Sequence, residues 1–171
     1  MIENAINEIC LSANDSNYEF LLEADLCGWL FHKIITQLDD YNKLHLDTRA
    51  NNSNDKYDIV IGEILTPDNG RTFVNPITVA EVKIFPLVGF TQQQHYVHFR
   101  HIIDDDLRKL RNINNNVEKA LIIMDGCGYL SGRHKGVIRS QFLRNKRDEI
   151  SNRIKIYLLK IENDRWIYEI I

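Results

Sequence analysis

Two runs rich in Ile and Val, Tyr57–Leu65 (YDIVIGEIL) and Ile77–Phe85 (ITVAEVKIF), bracket the tetrapeptide Pro67-Asp68-Asn69-Gly70. Short β-branched runs bounded by turn residues read as strands. Asn-Gly tolerates positive φ at a turn centre, and Pro67 presets its own φ, so the two runs are expected to pair as an antiparallel hairpin. That hairpin carries charge where a strand should be apolar. With a period of two, Glu81 and Lys83 point to one face while Ala80, Val82 and Ile84 point to the other. A buried charge is costly unless it is paired or binds a metal. The alternative is an exposed strand face with a solvated Glu/Lys pair.

The remaining segments suggest helices around a sheet. Leu22, Leu26, Trp29, Leu30, Ile34 and Leu38 recur at spacings of three and four, predicting a helix from about Asn17 to Leu38, with Asp15 or Ser16 as its cap. Asp47–Lys56 (DTRANNSNDK) reads as a loop. Pro86–His101 is irregular, and a second helix is expected from about Asp104 to Ile113, its aspartates favouring the helix dipole. Ala120–Met124 (ALIIM) is apolar on both faces, as a central strand is. After a loop at Asp125–Gly132, a basic helix is expected over Val137–Ile150, then strands at Ile154–Ile161 and Trp166–Ile170. The fold class is α/β, a mixed central sheet flanked by helices.

At 171 residues the chain has the size of one domain, expected to span 1–171. Its 44% apolar content excludes a disordered chain. No run approaches the roughly 20 apolar residues of a membrane span, and MIENAINEIC lacks the basic and apolar regions of a secretory leader. Cys10, Cys27 and Cys127 form no CxxC pair, so neither a disulfide framework nor a zinc knuckle is indicated and a cytoplasmic location is expected. Charge is unevenly spread: residues 1–85 hold 14 acids and 6 bases, and residues 86–171 hold 10 acids and 15 bases. An acidic locus and a separate cationic surface suit that division.

Asp58 opens the partner strand of the hairpin, so its carboxylate is expected near Glu81. A third acid, Glu23, lies on the apolar stripe of the first helix; Glu19, one turn earlier, is the competing choice, and Asp25 points away. Two carboxylates and a nearby lysine suit phosphodiester chemistry, because Mg²⁺ takes hard oxygen ligands and keeps several waters. Lys83 would orient or deprotonate the attacking water and counter developing charge. Asp58 with Glu81-Val82-Lys83 resembles the Asp…Glu-X-Lys signature of the PD-(D/E)XK nuclease superfamily, over roughly residues 17–125, with Tyr57 where the nominal proline would stand. The resemblance implies a restriction-endonuclease-like αβββαβ core, here with a C-terminal basic helix and extra strands. It also implies Mg²⁺- or Mn²⁺-dependent cleavage of DNA or, less often, RNA. Asp58, Glu81, Lys83 and the helix acid Glu23 would carry catalysis; Asp58, Glu81 and the Val82 carbonyl would hold the metal.

Arg133, Lys135, Arg139, Arg144, Lys146, Arg147, Arg153 and Lys155 form a base-rich stretch suited to phosphates or, equally, to a solvated helix face. Lys109, which follows Asp106 on the second helix, is either a base near the site or the exposed end of a helical ion pair. His95, His98 and His101 match no complete zinc pattern, and Gly126, Gly128 and Gly132 lack the spacing of a phosphate loop. Nucleic acid is the expected partner, a membrane is not, and a homodimer stays open. The competing reading is a catalytically silent module of the same fold that binds nucleic acid or protein.

Overall fold

The computed structural model describes residues 1–16, 22–50, 54–66, 72–86, 89–151 and 153–171. Its centre is a six-stranded mixed sheet. Strands β1 (Leu44–Arg49), β2 (Lys56–Leu65) and β3 (Phe73–Phe85) form an antiparallel meander. Strand β4 (Glu118–Asp125) lies parallel to β3, β7 (Ile154–Glu162) lies parallel to β4, and β8 (Arg165–Ile170) closes the far edge antiparallel to β7. Helices α1 (Ile2–Ser16) and α2 (Glu23–Ile35) cover one face. The other is covered by α3 (Gln92–His101), a π-helical segment at Ile102–Asp106, α4 (Leu107–Asn112) and α5 (Arg139–Ile150). The order from α2 to β4 follows the αβββαβ arrangement expected above.

Period-two alternation sorts the central strands between two cores. Ile59, Ile61, Ala80, Val82, Ile84 and Ile122 face α1 and α2, whereas Val60, Val79, Phe85, Leu121 and Ile123 face the second layer. The hairpin is longer than the apolar runs: β3 begins at Phe73 and Leu65 pairs with Phe73. The turn expected at 67–70 lies outside the described residues, as does Glu19. Ile61 pairs with Thr78 but Gly62 pairs with Pro76, so Ile77 is the extra residue of a bulge. Pro76, which has no N–H to give, suits that break in the ladder.

Several expectations need correction. The helix expected from about Asn17 is α2, which runs only from Glu23 to Ile35; Asp15 and Ser16 belong to the last turn of a preceding helix, α1, which buries Ile2, Ala5, Ile6, Ile9 and Ala13. Asp25, expected to point away from the site, also closes the α2 N-terminus by accepting the Leu22 N–H at 2.9 Å. Residues 47–49, expected in a loop, continue β1, an edge strand whose polar side chains reach solvent. The irregular stretch before His101 is helical from Gln92: Gln94 N–H donates to Thr91 Oγ1 at 3.2 Å and Thr91 N–H to Gln94 Oε1 at 2.7 Å. This reciprocal cap starts a helix that has few apolar residues to advertise it. Val137 and Ile138 are not helical but pair with His134 and Arg133 in a small ribbon. Among the described residues, no helix is long and apolar enough to cross a membrane.

Candidate functional site

Asp58 immediately precedes Ile59, which pairs with Ala80, and Glu81 immediately follows Ala80. The two carboxylates therefore stand side by side across the β2–β3 ladder, on the side of α3 and α4. Asp58 is half-buried, and its Oδ2 accepts the Val82 N–H at 2.7 Å. Glu81 is only 1% exposed, on a strand flanked by β2 and β4. The solvated-pair alternative is thereby overturned. Burial, then the charges of Asp58 and Asp106, push the Glu81 carboxyl up to about 9, against the opposing pull of Lys109.

Two lysines divide the site. Lys109 Nζ donates to Glu81 Oε1 at 3.0 Å and to the Lys56 carbonyl at 3.3 Å. Lys83 Nζ donates to Glu23 Oε1 at 3.1 Å and to the Val82 carbonyl at 3.0 Å, and stands 3.7 Å from Asp106 Oδ2. Burial alone would lower the Lys83 pKa, but Asp106, Glu23 and Asp58 outweigh it and hold the amine charged. Glu23 reaches the site from α2, and its second oxygen lies 2.9 Å from His98 Nε2. Burial opposes ionisation of Glu23, yet the His98 hydrogen bond and the Lys83 charge leave its pKa below the ordinary value.

Sequence reasoning named Asp106 only as the residue that Lys109 follows, not as a site residue, and did not pair His98 with Glu23. Asp106 ends the π-helical segment, is 4% exposed, and bridges the two lysines, with Lys109 Nζ at 4.0 Å. Its Oδ2 is buried and has no hydrogen-bond partner among the described residues. Burial raises its pKa despite both lysines. A cleft of about 300 Å³ opens here, lined by Lys83, His98, His101, Asp106, Arg108 and Lys109. The three-residue histidine spacing was the available signal for this wall.

Among the described residues, no three His, Cys, Asp or Glu side chains converge to hold a metal. Asp58, Glu81 and the Val82 carbonyl would be a smaller oxygen set, of the kind Mg²⁺ uses while keeping water; Asp58 Oδ2 accepts the Val82 N–H, Glu81 Oε1 accepts Lys109 and the Val82 carbonyl accepts Lys83. A cation there would relieve the like-charge burial at Glu81.

The downstream bases do not line this cleft. Arg139 lies 4.0 Å over the Tyr129 ring and donates to the Tyr129 carbonyl at 2.9 Å. Arg147 donates to the Ile154 carbonyl at 3.1 Å, and Arg153 to the Asn115 carbonyl at 3.2 Å. Lys146 pairs with Glu149 and Lys155 with Glu118. Lys135 and Arg144 are exposed, and exposed Arg133 donates to the Gly136 carbonyl.

No family model and no curated protein matches the chain. Among solved structures, it is similar to "The structure of Pyrococcus Furiosus SfsA in complex with Ca2+", with a TM-score of 0.36 and 16% identity. The match covers 85% of this chain and 62% of that one. So low a structural overlap bears on neither fold nor chemistry here.

Proposed function

We propose that the chain is a divalent-metal-dependent nuclease acting on phosphodiester bonds, with DNA as the leading substrate. The observation that carries this reading is the adjacency of Asp58 and buried Glu81 across the β2–β3 ladder, with Lys83 on the same strand and Lys109, which bonds Glu81, both lining a cleft. Asp58, Glu81 and the Val82 carbonyl would hold Mg²⁺ or Mn²⁺. When bound, the ion would polarise the phosphate and favour hydroxide. Lys83, held charged by its neighbours, serves as a donor to the phosphoryl oxygens rather than as the base that takes a proton from water. Glu23 fixes the direction of that ammonium, and Lys109 counters charge beside Glu81. Of the downstream bases, the exposed Arg133, Lys135 and Arg144 would contribute phosphate contacts away from the chemistry.

A second reading also has an observation in its favour. Glu81 is satisfied by Lys109, and Asp58 by a backbone N–H, as in a silent module of the same fold that binds nucleic acid or protein. Incubation with duplex DNA, single-stranded DNA and RNA, with Mg²⁺, Mn²⁺ or chelator, separates the two. The nuclease reading expects metal-dependent cleavage that falls about 10²–10³-fold in Lys83→Ala, the scale seen on losing one transition-state donor, and also falls in Asp58→Ala. Binding without turnover in every metal selects the silent module.

A further inference from the structure

Lys83 and Lys109 are both engaged as charged donors, which leaves the proton of an attacking water without an acceptor among the lysines. The cleft offers another candidate. His98 lies on its wall, with its side chain about one-quarter exposed and Nε2 2.9 Å from Glu23 Oε2. An ionised carboxylate only accepts hydrogen bonds, so in the neutral ring that contact places the proton on Nε2 and leaves Nδ1 as an acceptor. Nδ1 makes no hydrogen bond among the described residues. His101, by contrast, sits at the exposed rim beside Asp105, with Nδ1 2.8 Å from Oδ2.

We propose that His98 is the proton acceptor of the phosphodiester reaction and that Glu23 orients it, an inference that rests on the nuclease reading above. As the water oxygen bonds to phosphorus, its proton passes to His98 Nδ1. The bond from phosphorus to the leaving sugar oxygen breaks, its electron pair stays on that oxygen, and solvent water protonates it. The imidazolium then returns its proton to solvent. Glu23 has a double duty: one oxygen directs the Lys83 ammonium and the other fixes the imidazole tautomer, as a carboxylate does behind a catalytic histidine. Two rings hold the imidazole plane, Phe85 at a centroid distance of 6.0 Å and Phe90 at 5.3 Å. The charged and titratable groups around it are Glu23 from α2, Lys83 from β3, and His95, His101, Asp105, Asp106, Arg108 and Lys109 from the α3–α4 layer.

The test has two arms. In the first, metal-dependent cleavage is followed for wild type, His98→Gln and His98→Ala, the last with and without added imidazole. Both variants should lose about 10²-fold or more, the low end of general-base contributions; imidazole should restore part of the loss in His98→Ala only. Gln preserves a donor toward Glu23 but accepts no proton as a base, so a fully active His98→Gln overturns the proposal, as does absence of imidazole rescue. The second arm needs no turnover. Nitrogen NMR of the His98 ring should report Nε2–H in wild type and a mixed tautomer in Glu23→Gln; an unchanged tautomer overturns the orienting role. A wild-type protein that cuts nothing sinks the nuclease reading and this inference together. Turnover with an unimpaired His98→Gln sinks the inference alone.

Discussion

At Glu81 a single side chain couples protonation to folding. Its carboxyl is held near 9, chiefly by burial and then by Asp58 and Asp106, against an ordinary value of 4.5. The folded protein thus keeps a proton that the unfolded chain releases. The associated stability is complete below the unfolded value and is lost as pH rises through about 9. In chelator, the urea midpoint of wild type should decline across that window, and the decline should be shallower in Glu81→Gln; equal slopes would contradict the assignment. Thiols give a second check. Burial pushes Cys10 up to about 11, while burial followed by the charges of Asp58 and Glu23 pushes Cys27 up to about 12. Both should resist iodoacetamide at neutral pH in the native protein and react readily after unfolding, as read by mass spectrometry. The residue-level signal for Asp58, Glu81 and Lys83 was legible in the sequence because those charges interrupt a strand. Asp106 was not, because it ends a run of three aspartates and nothing local marks which one turns inward.

Among the elements, the hairpin and the helix α3 respond differently to single substitutions. A Cβ at Gly62 would collide with the Asn75 carbonyl at the bulge. Gly62→Ala is therefore expected to destabilise by about 1–3 kcal/mol, the usual range for overpacking, in urea denaturation. Thr91→Ala removes the hydroxyl that caps α3 and should cost about 1 kcal/mol. Because α3 carries His98, the same change should loosen the cleft wall, raising amide exchange in α3 ahead of β3. The strands β2, β3, β4, β7 and β8 were readable from their apolar runs. The edge strand β1 and helix α3 were not: one is polar toward solvent, and the other relies on its cap and on packing by His95 and Phe99 rather than on an apolar stripe.

For the whole molecule, the bases on and around α5 predict how binding responds to salt. Arg133, Lys135 and Arg144 are exposed and do not line the cleft. If they meet phosphates, each alanine substitution should weaken DNA binding across sequences and reduce the salt slope by about 1. Titration of labelled DNA at several salt concentrations in chelator measures both effects, and unchanged slopes would leave these residues as surface charges. What this chain's sequence determined by itself is local: turn chemistry, strand and helix periodicity, and the placement of an acid and a lysine on one strand face. Only the tertiary structure decided which distant groups meet them. Glu23 is 60 residues from Lys83 and 75 from His98, yet it bonds both. Periodicity reports the face a side chain occupies within its own element. Its partners depend on how elements pack, and that is set by burial of the two shared cores rather than by any local spacing.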